Sequence, residues 1–291
     1  MQTPFLFVLR GCKMDILLDT LIDNLKLFPF LLITYVFLEY MEHKTEEKTL
    51  NLIRKAGYAG PLIGALCGAM PQCGFSAAAG NLYAARVISI GTLLAVFLST
   101  SDETLPILIS NAVEPKLITL ILLYKIACGV AFGYLIDIIW HKKHPQPAFN
   151  MEELCENEHC HCEEGVWRPA LYHSLRIAAF IFAITLILNI IFNYIHPSEW
   201  RGFLQLPVLG EMVSGVFGLL PNCSASVVLT QLYLENCINI STLMSGSLVN
   251  AGVGVLILFR VNKHLKQNIA ILTMLYFCGV FGGLLSRLVL M

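Results

Sequence analysis

The chain has 291 residues, 56% of them apolar and only 13% charged, with a formal net charge of −1. Mean hydropathy is +0.70, and a soluble domain carries about 25% charged residues, so an ordinary soluble globule is excluded. The charges cluster between long apolar runs, which predicts a polytopic membrane protein with the lipid bilayer as a partner and no nucleic acid.

Residues 1–13 are read as an N-terminal extension. Their "TPFLFVL" is too short for the apolar region of a signal peptide and precedes its basic residues instead of following them. A first membrane repeat is expected over 14–140, with helical segments near 19–41, 56–70, 73–88, 90–110 and 116–140. A polar linker follows over 141–166. A second repeat over 167–291 has segments near 169–195, 206–220, 223–236, 240–260 and 266–290. The expected fold class is therefore an all-α polytopic membrane protein of about ten transmembrane helical segments.

Two stretches betray a duplication. Residues 68–80 read "GAMPQCGFSAAAG" and residues 218–230 read "GLLPNCSASVVLT", in register at an offset of 150. Pro71 meets Pro221, Gln72 meets Asn222, Cys73 meets Cys223 and Ser76 meets Ser226. The same ungapped register pairs Cys128 with Cys278 and Gly133 with Gly283. Internal repeats of this kind set the architecture of a chain.

The segments flanking each Pro-amide-Cys are short. Fifteen helical residues cover about 22 Å, against roughly 30 Å of hydrocarbon. They read either as half-helices meeting inside the membrane or as tilted spans packed in protein. If each half crosses an odd number of times, eleven basic residues share one face and five the other; with four crossings the split is nine to seven. The odd count fits the positive-inside bias better. It makes the two five-segment repeats inverted, with both termini outside and the linker in the cytoplasm.

Proline removes a backbone donor and clashes with the preceding turn, so carbonyls near 67–70 and 217–220 should lose partners. In lipid such groups cost several kcal/mol unless something satisfies them. Paired interruptions in inverted repeats are a transporter device, with the site near the midplane. Gln72, Cys73 and Ser76 on one break, and Asn222, Cys223 and Ser226 on the other, are thus candidate ligands. Close packing of small residues is the plainer explanation of one such stretch, but not of two in matched register.

A third feature is "FLSTSDETLPIL", residues 97–108. A carboxylate at the bilayer centre costs about 2.5–3.5 kcal/mol, which marks Asp102 and Glu103, with Thr100, as functional candidates. Lys125 in the next segment could neutralise one of them. The counterpart "SLVNAGVGVLIL" puts Asn250 where the first half has acid. Thiols beside carboxylates suit a metal cation, soft or borderline for sulfur and harder for oxygen. Ligand deprotonation couples binding to protons, so a metal-for-proton exchange is expected, with Asp102 and Glu103 as proton carriers. No cofactor is expected beyond the transported metal ion.

The linker "HKKHPQPAFNMEELCENEHCHCEEGV" holds Cys155, His159, Cys160, His161 and Cys162 among glutamates. The spacing is not that of a zinc finger; it reads as a flexible metal-capturing tract.

The paired breaks, "STSDETLPIL", "SLVNAGVG" and "EHCHCEE" together resemble the ten-helix heavy-metal exporter family. Its members are labelled arsenic efflux proteins or manganese transporters and are distantly similar to organoarsenical permeases. The resemblance runs from about Met14 over nearly the whole chain. It implies a secondary transporter of a prokaryotic inner membrane, not an enzyme, exporting a toxic metal or metalloid; a homo-oligomer is compatible with it. No G-x-x-x-x-G-K-[ST] occurs, so any ATPase would be another chain. The buried acids favour a divalent cation such as Mn²⁺ or a zinc-like ion, with arsenic(III) as the alternative. Two further classes stand beside it: a membrane-embedded thiol oxidoreductase pairing Cys73 with Cys223, and a metal-sensing receptor.

Overall fold

The computed structural model describes residues 20–22, 24–25, 28–29, 31–33, 35–36, 59–70, 73–101, 103–143, 167–194, 204 and 206–290. Among them every regular element is helical: α1 (Gly60–Gly68), α2 (Cys73–Ala84), α3 (Ile90–Ser99), α4 (Thr104–Ser110), α5 (Pro115–Lys143), α6 (Trp167–Tyr194), α7 (Leu209–Gly218), α8 (Cys223–Leu234), α9 (Ile240–Val249), α10 (Gly254–Val261) and α11 (Leu265–Leu290). The described parts of 20–36 are helical as well. Four pairs of helices open 150 residues apart, at Cys73 and Cys223, Ile90 and Ile240, Thr104 and Gly254, and Pro115 and Leu265.

The segments expected as single helices over 90–110 and 240–260 are each two helices. In the first, the Thr100 hydroxyl donates to the Val96 carbonyl at 2.7 Å and the Ser101 hydroxyl to the Ser99 carbonyl at 3.2 Å. Hydroxyls that bond their own backbone compete with the helix ladder, and here they end α3. In the second, Asn250 Oδ1 accepts from the Gly252 amide at 3.0 Å, and Gly252 sits at a φ of 53°, which favours glycine. That turn separates α9 from α10.

Each half has the same internal order. Helix α3 packs between α1 and α5, and α9 packs between α7 and α11. Helices α1 and α3 run parallel, because Gly60 lies against Thr92 and Gly68 against Ser99. Likewise Ser214 on α7 donates to the Thr242 carbonyl on α9 at 2.7 Å, and Gly218 lies against Gly246. Since α2 returns to the start of α3, α1 and α2 form a hairpin whose arms share one end of the bundle. Helices α7 and α8 form its counterpart. The carbonyls at the hairpin turns are partly satisfied, contrary to the simplest expectation from the prolines. Cys67 O accepts from Met70 N at 3.3 Å and Phe217 O from Leu220 N at 3.1 Å, tight turns that need no donor from residue 71 or 221.

The halves exchange their short helices. Helix α2 packs on α10 of the other half, and α8 on α4. The described parts of 20–36 and α6 flank this crossing, with Leu31, Tyr35, Ile177 and Ile181 clustered against Ala77, Ala85, Val253 and Ile257.

Four stretches among the described residues are long and apolar enough to cross a membrane: Ile90–Ser110, Pro115–Ile139, Ile240–Val261 and Leu265–Leu290. The first and third are the broken ones and lie inside the bundle. Helices α5 and α11 present Leu123, Leu135, Ile138, Phe277, Phe281 and Leu288 outward, as lipid-facing helices do. The protein is a multi-pass membrane protein.

Candidate functional site

Four interruptions organise the interior: 69–72 between α1 and α2, 100–103 between α3 and α4, 219–222 between α7 and α8, and 250–253 between α9 and α10. Packing brings them together. Gly68, at the tip of the first hairpin, has no room for a Cβ beside Ser99, the last residue of α3. Gly218 meets Gly246 and Val249 at the end of α9 in the same way. Across the halves, a Cβ on Gly254 would lie 2.7 Å from the Ser76 carbonyl of α2. On the other side α8 meets α4 through a hydroxyl pair, Thr230 and Thr104, with oxygens 3.4 Å apart and both residues buried, at the positions that correspond to Gly80 and Gly254.

The sequence candidates fall on this junction as follows. Ser76 is buried on α2. Thr100 is buried and closes α3. Glu103 is half-buried and precedes α4 without capping it. Asn222 is buried and caps α8, its Oδ1 accepting from Ser224 N at 3.3 Å. Ser226 is buried, its carbonyl accepting from the Thr230 hydroxyl at 2.7 Å. Asn250 is buried and closes α9. Cys73 and Cys223 are the first residues of α2 and α8; their side chains lie outside the described residues. Gln72 and Asp102 lie outside the described residues, as does the whole Cys/His tract with Cys155, His159, Cys160, His161 and Cys162.

The sequence profile of a family described as "Putative, 10TM heavy-metal exporter" matches residues 13–205. The chain belongs to this family. No curated protein and no solved structure matches the chain. The match to the heavy-metal exporter family spans the first half, the linker and α6, whereas α7 to α11 lie beyond it.

In this exporter-family chain the residue that ties the ends of the two broken helices α3 and α9 together is Lys125 of α5. Its side chain is 1% exposed. The ammonium donates to the Thr100 carbonyl at the end of α3, to the Ser247 carbonyl of α9 at 2.9 Å and to the Ser247 hydroxyl at 2.7 Å. The last carbonyls of a helix have no intrahelical donor and carry the negative end of its dipole. Two such ends, one from each half, are directed at one cation. Sequence reasoning treated Lys125 only as a neutraliser of the acids and missed Ser247. The signal was present but ambiguous: a lysine alone in an apolar helix calls for an acceptor, without saying which.

A second polar centre was not anticipated. Glu211, in the first turn of α7, is wholly buried and accepts on Oε1 from Arg287 Nη2 at 2.6 Å, Arg287 Nε at 3.0 Å and Ser241 Oγ at 2.7 Å. At the 150-residue spacing, Arg287 corresponds to Asp137, which instead accepts from Ser89 Oγ at 2.6 Å and Gly91 N at 2.8 Å. Among the described residues no group of three or more His, Cys, Asp and Glu comes together. The polar groups that the described residues bring to the junction are hydroxyls, amides and carbonyls. The described cysteines Cys67, Cys128, Cys237 and Cys278 are free thiols.

Proposed function

We propose that the protein is a permease that exports a heavy-metal ion through the junction of its four helix breaks. The observation that carries the reading is the convergence of those breaks: Gly68 on Ser99, Gly218 on Gly246, Ser76 on Gly254 and Thr230 on Thr104. Broken helices are tolerated at membrane depth where they are buried in protein or line a polar path, which is where binding sites form.

An inverted arrangement of the halves is supported by their contacts. Arg86, which follows α2, donates to Gln267 in the first turn of α11 at 3.3 Å, so α3 and α11 begin at one end of the bundle. Glu211, Ser241 and Arg287 gather the starts of α7 and α9 and the finish of α11 at the other. On this reading the breaks lie near mid-depth, and the basic-residue bias puts the linker in the cytoplasm and both termini outside.

The chemistry at the junction favours a cation. Three oxygens converge there on the Lys125 ammonium, so the junction is rich in acceptors. Gln72, Cys73, Ser76, Thr100, Asp102, Glu103, Asn222, Cys223, Ser226 and Asn250 are the proposed cargo ligands, with Asp102 and Glu103 as the exchanged-proton carriers. A divalent ion such as Mn²⁺ or a zinc-like ion fits sulfur beside oxygen. The cytoplasmic cysteines and histidines at 155–162 would collect it.

One observation favours the arsenic(III) alternative. Helices α2, α8 and α10 begin at the junction, and with Lys125 they add positive potential that a metal cation must offset. Neutral arsenous acid would need only the thiols and hydroxyls.

The test is growth of a metal-sensitive host with and without the gene across Mn, Zn, Cd, Cu, Co and arsenite. Protection against divalent metals supports the first reading and protection against arsenite alone the second. Protection against none contradicts both.

A further inference from the structure

Glu211 is held on one side only. Three donors, two from Arg287 and one from Ser241, converge on Oε1. Oε2 is buried and has no hydrogen-bond partner. Its main-chain carbonyl is also engaged, by the Ser245 hydroxyl at 2.7 Å. Oε2 is therefore the one oxygen of this carboxylate that remains open as an acceptor.

The surroundings narrow what that is. Helix α9 brings Ser241 and Ser245 and carries no charged residue. Helix α11 brings Arg287, and Tyr276 at a distance, whose hydroxyl donates to the Met212 carbonyl at 3.2 Å. Helix α8 carries no charge, with Cys223 and Tyr233 as its titratable groups. A metal ion would find a single oxygen, beside a guanidinium and with no second acid. A proton needs no other ligand. The pair also reaches from the interior to the surface, since Arg287 is 32% exposed while Glu211 is fully buried.

We propose that Glu211 is a proton-binding site of the second half, which takes its proton on Oε2 from the face where Arg287 reaches the surface. The site is distinct from the junction and does not depend on which cargo is moved. Protonation removes the charge that holds Arg287, and with it the charge-assisted part of the bonds joining α7 to α9 and α11. Because α7 is the outer arm of the hairpin that presents Asn222 and Cys223, proton uptake loosens the support of that hairpin. The first half lacks the device: Asp137 has a donor on each oxygen, and Pro61 stands at the position that corresponds to Glu211.

Infrared difference spectra of the full-length protein in lipid, between neutral and acid pH, test the assignment. The expected result is a protonated-carboxyl band that grows on acidification, shifts on ¹³C-glutamate labelling and is lost in Glu211→Gln. Its intensity should fall about tenfold per pH unit well above its midpoint. If Glu211→Gln does not fold, Glu211→Asp retains a carboxyl whose band must no longer respond to glutamate labelling. As a second readout, because protonation breaks the ion pair to Arg287, the unfolding temperature of the wild type should drop as pH falls through the band's midpoint by more than that of Glu211→Gln. A band indifferent to both substitutions overturns the proposal. So does the absence of any protonated-glutamate band over the whole pH range in which the protein stays folded, because Oε2 is then satisfied by water and the carboxylate stays ionised.

Discussion

The Lys125 ammonium on α5 donates to both the hydroxyl and the carbonyl of Ser247 on α9, at 2.7 and 2.9 Å, and to the Thr100 carbonyl that ends α3. One side chain thus bridges the broken helices of both halves. Lys125→Met keeps the bulk of the stem and removes every donor. Each orphaned acceptor costs about 1–3 kcal/mol. The variant should unfold at a markedly lower temperature in detergent and lose metal resistance. Unchanged melting would mean that the bridge is not formed.

The approach of α2 to α10 sets a graded test. A Cβ at Gly254 would lie 2.7 Å from the Ser76 carbonyl and 2.8 Å from Phe97, whereas one at Gly80 would lie 3.1 Å from the Gly254 carbonyl. Gly254→Ala should cost about 1–3 kcal/mol by overpacking, and Gly80→Ala clearly less. Thermal unfolding of the two variants side by side measures the difference.

The break after α9 depends on Asn250 and Gly252. Gly252→Ala forces a φ of 53° on a residue with a Cβ, at a cost of about 1–2 kcal/mol. Asn250→Ala removes the acceptor of the Gly252 amide and the proposed ligand together. Gly252→Ala should therefore lower stability more than transport per folded molecule, and Asn250→Ala should lower both. Flux normalised to folded protein separates them.

The thiols should decide selectivity. Cys73→Ser and Cys223→Ser exchange sulfur for oxygen at the two hairpin turns, and oxygen ligands are poor for soft ions. Resistance to Cd, Cu and arsenite should fall in either variant, with Mn resistance the least changed. Equal loss for all metals would make the cysteines packing residues.

Much of the architecture could be read from the residues, because it rests on coincidences that apolar drift does not produce. Pro71 with Pro221 and Cys73 with Cys223 located both hairpin turns, and the helices α2 and α8 open at those cysteines. The breaks at Thr100 and Asn250 were missed because hydropathy sees only an apolar run. Their cause is local polar chemistry, hydroxyls in "STS" and an Asx turn in "NAG". The exchange of α2 and α8 between halves was not legible at all. Nothing in "GFSAAAG" says that its small residues pack on Gly254 rather than within their own half. Glu211 escaped because its partner Arg287 lies 76 residues away.

Reconstituted protein in liposomes offers the most direct measurement of the central claim. Metal flux would be followed for Mn, Zn and Cd with an imposed pH gradient, for the wild type and for Asp102→Asn. The account predicts metal movement driven by the gradient, with counterflow of protons, and its collapse in Asp102→Asn. Flux that ignores both the gradient and Asp102, or no flux of any of these ions, would contradict it.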